Sequence, residues 1–228
     1  MQKLPFDRPW EPELNWDCNA GRVVDALLKE LLSEGGDWLV NIFGSAPLQI
    51  AYASNFLSAD VDASVAWNKE PEFDRAISRA GLARGASPVY VQHCKEAAFR
   101  TSPKWKDRAC VHRRDSVTIR FAHPIDILIG KIHRLEPKDL KAFELVRAIT
   151  GEPTETALLQ ELRDAPDLFS LAHMPAAGEK SFSENVAILW PLFFGREIDV
   201  EGEITTPARA ILKSNYDQGT DFKSGLRM

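Results

Sequence analysis

Two aspartates at alternate positions, Asp60 and Asp62, are the residues of this chain whose type and spacing best suit chemistry. They lie in SADVDASVAW, where apolar and polar residues alternate with the period of two that is typical of a half-buried strand. Because side chains two apart on a strand project from one face, both carboxylates would point to the same side of a sheet. Such a pair beside a phosphate would bind Mg²⁺, which prefers oxygen ligands.

A Gly-Ser pair, Gly44 and Ser45, precedes the aspartates and supplies the phosphate half of this site. The pair follows DWLVNIFG, a strand-like apolar run, and opens SAPLQIAYASNFL, a predicted amphipathic helix with Ser45 as its N-cap. Gly44 would let a ligand approach the backbone closely, and the N–H groups of a helix N-terminus favour an anion. Taken alone, an Asp-X-Asp is more often a solvated turn or strand edge, so the prediction depends on the combination.

The stretch FGSAPLQIAYASNFLSADVDASV resembles the core motif of the DNA polymerase beta-like nucleotidyltransferase superfamily, and it looks most like that of the AbiEii-type toxin branch. In that branch a Gly-Gly-Thr-Ala or Gly-Ser opens the helix, and Ser-X-Asp-Ile-Asp closes the unit. The resemblance implies that Gly44 and Ser45 hold nucleotide phosphates, and that Asp60 and Asp62 are catalytic carboxylates that bind Mg²⁺ or Mn²⁺. Phe43 stands where the family has its first glycine.

A second stretch, HPIDILIGKIHRLEPKDLKAFELV, resembles the basic helical segment that follows the sheet in this branch. Lys131, Arg134, Lys138 and Asp139 match its order, and the resemblance implies that they bind the nucleotide. Lys131 would contact phosphates, and Asp139 would serve as a helix-tethered acid or orient a base. Without the resemblance, the same residues are equally well interpreted as a solvated, ion-paired helix face that includes Glu136. The resemblance covers roughly residues 37–150.

Active members of the superfamily usually carry a third carboxylate on a later strand. In the strand-like stretch SPVYVQHC, Gln92 stands where such an acid would be expected. Asp115 is predicted to lie in a turn, and Asp126 to cap the start of a helix. The full set of nearby acids considered for the role is Glu96, Asp107, Asp115 and Asp126.

Periodicity along the chain predicts an α+β protein with a small mixed sheet, flanking helices and a helical C-terminal region. NAGRVVDALLKELLSEGG and EPEFDRAISRAGLARG are predicted helices that end at glycine, and DSVTIRFAH is a further strand. From Pro124 onward the pattern is helical. The predicted domains are a nucleotidyltransferase-like domain, residues 1–125, and a helical domain, residues 126–228.

Composition excludes some functions for these 228 residues, of which 44% are hydrophobic and 27% charged, with a net charge of -5. The negative charge disfavours nonspecific duplex binding. The basic stretch KWKDRACVHRRD is more simply interpreted as a solvated loop, although its basic residues and tryptophan would also suit an RNA. Since no signal-like segment or long apolar run occurs, we predict a cytoplasmic protein without a membrane partner. Three cysteines without CxxC spacing predict free thiols.

Together these residues predict a metal-dependent nucleotidyltransferase that transfers NMP from an NTP to a hydroxyl and releases pyrophosphate. The acceptor would be an RNA such as a tRNA, a protein or a small molecule. The toxin-like branch implies an antitoxin partner or a role in phage defence. An alternative, motivated by Gln92 in place of an acid, is a noncatalytic nucleotide-binding or interaction module of the same fold. A coincidental motif that binds no nucleotide is the third interpretation.

Overall fold

A five-stranded mixed sheet lies at the centre of the structure, a computed structural model that describes residues 4–52, 60–170 and 180–213. Its strands lie in the order β3-β2-β1-β5-β4. Strand β1 pairs antiparallel with β2 and parallel with β5, while β3 is parallel to β2 and β4 antiparallel to β5. The strands are β1 Trp38–Phe43, β2 Asp60–Ser64, β3 Tyr90–His93, β4 Cys110–Arg114 and β5 Val117–Phe121.

Helices flank this sheet and make up most of the described chain after it. They are α1 Asn19–Glu34, α2 Ala46–Ala51, α3 Glu70–Arg79, α4 Trp105–Arg108, α5 Pro124–Ile132, α6 Pro137–Thr150, α7 Glu155–Arg163 and α8 Phe182–Phe194. A π-helix, Glu201–Thr205, and helical residues 206–213 follow. The α+β class and the helical C-terminal region are therefore confirmed.

Helix α1 shows how the sequence sets these elements. Its apolar residues recur at helical spacing, and Val24, Leu27, Leu28 and Leu31 are fully buried. It ends at Gly35, whose φ of 77° is a conformation that other residues rarely adopt.

None of the helices in the described ranges combines the length and apolar composition that a membrane span requires.

One hydrophobic core runs from the sheet into the C-terminal helices. Ile119 of β5, Phe143 of α6 and Trp190 of α8 are fully buried members of the same cluster. The boundary predicted between residues 125 and 126 falls inside α5. The division into two domains stays a prediction.

The residues of β4 were interpreted from the sequence as part of a basic loop, and this interpretation is wrong because they form a strand. Val111 and Arg113 are exposed, and the strand forms one edge of the sheet. Because charged side chains on an edge strand discourage pairing with another chain, the basic character of the stretch is compatible with a strand.

Candidate functional site

A cavity of about 560 Å³ opens where β1 ends, beside the start of β2, the end of β3 and one side of α5. Seven of the eight predicted site residues line it: Gly44, Ser45, Asp60, Asp62, Lys131, Arg134 and Lys138. The eighth, Asp139, is fully buried and contacts two of the lining cations. Segments that are far apart in the chain are thus brought to one place by the sheet order and by α5.

Residue 44 has to be a glycine because of its backbone conformation and because there is no room for a Cβ atom. Its φ of 68° lies in the left-handed region, and a Cβ there would be 2.1 Å from Oδ2 of Asp62. Phe43 pairs with Asp62 in the antiparallel register of β1 and β2, which places the turn beside this carboxylate. A side chain at residue 44 would displace Asp62, so the Gly-Ser motif and the Asp-X-Asp motif form one structural unit.

Ser45 occupies the N-cap position of α2, as predicted, but within the described part of the chain it does not cap the helix with its side chain. It precedes α2, but its backbone is already helical, with φ -88° and ψ -16°, whereas an N-cap residue is usually extended. Among the described residues, its side chain makes no capping hydrogen bond. Helix α2 spans only Ala46–Ala51, and the rest of the predicted helix, residues 53–57, lies outside the described residues.

Asp60 and Asp62 are both half-buried, and both line the cavity. Burial, together with the negative charge of Asp60, raises the pKa of Asp62 to about 6. Lys131 and Arg134 act in the opposite direction. Oxygen donors that repel each other and lack full solvation fit a divalent cation, because the cation would relieve both costs. These two residues are therefore the ones that would hold Mg²⁺ or Mn²⁺.

Asp139 organises the cationic wall of the cavity. Lys131 Nζ donates to Oδ1 at 2.9 Å, and Arg134 donates to both carboxylate oxygens at 2.9 and 3.0 Å. The backbone N–H of Glu136 donates to Oδ2 at 3.1 Å, which completes a capping box at the start of α6. Burial alone would raise the pKa of Asp139, but the hydrogen bonds from Arg134 and Lys131 lower it below the usual value.

The cations of this wall differ in exposure. The Lys131 side chain is 10% exposed, whereas those of Arg134 and Lys138 are 51% and 65% exposed. Lys138 Nζ lies 3.2 Å from Glu136. A solvated ion-paired face therefore describes Lys138 well, but it does not describe Lys131, whose ammonium group is held between a buried carboxylate and the cavity.

Arg100 and Phe99 line the cavity but were missed by the sequence analysis. Arg100 is exposed and, in the described ranges, forms no ion pair with a carboxylate, so its charge is free to meet an anion. The segment is anchored just beyond it, where the Thr101 hydroxyl donates to the backbone carbonyl and the side chain of Asp126. These contacts are long-range, and no local pattern in the sequence signals them.

Phe43 packs in the wall of the cavity. Its ring is buried and stacks on Phe99, with centroids 4.8 Å apart and planes 8° apart. On α5, a Cβ at Gly130 would lie 3.2 Å from the Phe99 ring. The aromatic pair thus forms the apolar part of the cavity wall.

Gln92 is opposite Asp62 in the parallel register of β2 and β3 and lines the cavity. Cys94, two residues on, also lines it, and its thiol donates to Asp62 Oδ1 at 3.7 Å. Burial and the neighbouring carboxylate raise the pKa of this thiol to about 11, so it is protonated near neutral pH. Across the described ranges, no group of three or more His, Cys, Asp or Glu side chains is arranged to hold a metal ion.

None of the four acids named for the third position lines the cavity. Glu96 accepts a hydrogen bond from Asn41 and pairs with Lys106. Asp115 forms the turn between β4 and β5 with a φ of 50°, as predicted, and Asp107 is exposed.

Asp126 does not cap α5 as predicted. It is fully buried and pairs with Arg108 at 2.7 Å, while the side chain of His123 accepts from the N–H of Ile125 at the start of α5. The carboxylate of Asp126 pairs with the buried guanidinium of Arg108 because a buried charge is costly without a partner of opposite charge.

The basic stretch KWKDRACVHRRD is largely neutralised. Lys104 pairs with Asp164, and Arg114 pairs with Asp25. Arg108 is buried and, like Lys106, is held by acids. Arg113 is exposed. These contacts favour the interpretation of the stretch as a set of structural ion pairs over that of a shared RNA-binding patch.

No protein-family model, curated protein or solved structure matches this chain. The chemistry of the cavity is therefore the basis on which its function is inferred.

Proposed function

We propose that this protein is a metal-dependent nucleotidyltransferase of the nucleotidyltransferase fold, which binds an NTP in the cavity at the end of β1. The observation that carries the proposal is the convergence of the Gly-Ser turn, the Asp-X-Asp strand and the cations of α5 and α6 on one cavity. Two carboxylates suited to a cation face a wall of basic side chains suited to phosphates. A cavity of about 560 Å³ has the size of a small-molecule site.

In the proposed reaction an acceptor hydroxyl oxygen forms a bond to the α-phosphorus of the NTP. The bond from that phosphorus to the bridging oxygen breaks, pyrophosphate leaves, and the hydroxyl proton passes to solvent. Mg²⁺ or Mn²⁺ held by Asp60 and Asp62 would supply positive charge at the phosphate oxygens. Lys131 and Arg100 would add fixed positive charge, and Gly44 would keep the backbone close to the nucleotide.

Lys131 is prepared for this role by Asp139. The buried carboxylate fixes the ammonium group at the cavity wall, so binding a phosphate does not require ordering a free lysine side chain. Arg134, which Asp139 holds in the same way, adds a second positioned cation, and Lys138 contributes a mobile, solvated one. An RNA, a protein or a small molecule as acceptor, and an antitoxin as partner, stay predictions.

Gln92 favours a second candidate function, a noncatalytic module that binds the nucleotide and transfers nothing. It occupies the position beside Asp62 at which active members of the superfamily would place an acid. Nucleotide binding without pyrophosphate release would support this candidate, whereas turnover with any acceptor would exclude it.

The test is pyrophosphate release and label incorporation from each of the four labelled NTPs, with Mg²⁺ or Mn²⁺ and with RNA, protein and self as acceptors. We expect incorporation that is lost in Asp60→Asn/Asp62→Asn. Asp167→Asn serves as a control, because it removes an exposed carboxylate that does not line the cavity. Activity that survives the double substitution would contradict the mechanism.

A further inference from the structure

Gln92 sets the number of cations that this site can take, an inference that rests on the proposed function. Residues that are directly opposite on neighbouring strands project from the same face, and Gln92 is opposite Asp62. Its side chain lines the cavity together with Asp60 and Asp62. We infer that the site binds one divalent cation, as a one-to-one complex with the nucleotide, and that the neutral amide of Gln92 withholds the second.

Ligand chemistry is the first argument. The amide oxygen of glutamine can ligate a cation but brings no negative charge, whereas a glutamate or aspartate there would bring one. The neighbouring Cys94 gives no substitute, because its thiol is a hydrogen-bond donor to Asp62. Within the described ranges no third acid, histidine or cysteine completes a metal-binding group.

Charge balance is the second argument. The carboxylates that line the cavity are those of Asp60 and Asp62, and the cations that line it are Arg100, Lys131, Arg134 and Lys138. Asp139 and Glu136 balance part of that positive charge from outside the cavity. One divalent cation already neutralises the two lining carboxylates, so the chain itself supplies no further negative charge to hold a second.

The consequence concerns the acceptor. A single cation held by Asp60 and Asp62 would supply its charge to the nucleotide phosphates, so the acceptor hydroxyl would depend on the chain's own groups and on solvent for the loss of its proton. Slow transfer by the natural chain, and faster transfer by a chain with an acid at residue 92, would follow.

The experiment counts bound Mn²⁺ by electron paramagnetic resonance, with the full chain and a non-hydrolysable NTP analogue. We expect one Mn²⁺ per chain in the natural protein and two in Gln92→Asp or Gln92→Glu, the second at least about tenfold tighter than any second ion in the natural chain. Gln92→Asn keeps residue 92 uncharged, so this variant should bind one Mn²⁺ per chain. Asn68→Asp adds a carboxylate at an exposed position outside the cavity and should also bind one.

Two bound Mn²⁺ in the natural chain would overturn the inference and leave the proposed function intact. One bound Mn²⁺ in a folded Gln92→Asp and Gln92→Glu would overturn it as well. Absence of both Mn²⁺ and nucleotide binding in the natural chain would instead refute the proposed function, and the inference with it. Should the acidic variants fail to fold by circular dichroism, the count in the natural chain decides.

Discussion

Two buried carboxylates, Asp126 and Asp139, have opposite relations to the cavity. Both are fully buried and both accept bidentate hydrogen bonds from an arginine. The partner of Asp126 is Arg108, whose side chain is 3% exposed and which also pairs with Glu161 of α7. The partners of Asp139 are Lys131 and Arg134, which reach the cavity. The same type of ion pair therefore has two roles. The pair of Asp126 joins buried elements, whereas the pairs of Asp139 position cations that line the cavity.

Breaking the structural pair should have the largest effect on stability. Asp126→Asn leaves Arg108 buried with Glu161 alone, and removing one partner of a buried pair typically costs about 3–5 kcal/mol of unfolding free energy. Urea unfolding followed by circular dichroism measures the loss. A change below about 1 kcal/mol would show that the cluster is not the tie between α4, α5 and α7 that the contacts suggest.

Breaking the pair at the cavity should lower stability less and nucleotide affinity more. Asp139→Asn frees Lys131 and Arg134, but Arg134 is half exposed, so solvent screens part of the lost charge interaction. We expect nucleotide binding to weaken at least about tenfold, since the cations lose their fixed positions. Isothermal titration calorimetry below the unfolding transition makes the comparison, and unchanged affinity would refute the positioning role.

Arg100 separates binding from stability. It lines the cavity and is unpaired within the described part of the chain, so Arg100→Met should weaken nucleotide binding about tenfold, as expected for one charged hydrogen bond. Its unfolding curve should overlay that of the natural chain. An equal loss of stability would mean that Arg100 has a structural partner of its own.

Lys138 should have the smallest effect of the set. Its side chain is 65% exposed and pairs with the half-exposed Glu136, so Lys138→Met should change affinity less than about threefold. It also serves as the matched control for the Arg100 substitution, because both remove one lining cation. A larger loss of affinity in Lys138→Met than in Arg100→Met would contradict the conclusion that Arg100 contributes more to nucleotide binding.

Local patterns were sufficient for much of the fold and of the site. The alternation around Asp60 and Asp62 predicted β2, and the glycine that joins the motifs is explained by its contact with Asp62. Lys131 and Arg134 were expected at the site from the resemblance of their segment, and both line the cavity. Each motif is short, and local periodicity and motif order encode such features, whereas the convergence of the motifs on one cavity depends on the sheet order.

Long-range pairing accounts for what the sequence did not reveal. The role of Asp126 depends on Arg108, which is in another element, and Arg100 reaches the cavity because the next residue, Thr101, is held by Asp126. The placement of Gln92 opposite Asp62 needed the register of β2 and β3. Ser45 occupies the predicted N-cap position, but its residue type did not reveal that its backbone is helical and that, within the described residues, its side chain makes no capping hydrogen bond.

The most direct test of the account is calorimetric titration of an NTP into the natural chain with and without Mg²⁺. We expect saturable one-to-one binding with Mg²⁺, and a loss of at least about tenfold in affinity with EDTA or in Asp60→Asn/Asp62→Asn. Asp167→Asn should bind as the natural chain does. Absence of binding, or binding that ignores both Mg²⁺ and the two carboxylates, would contradict the assignment of this cavity as a metal–nucleotide site.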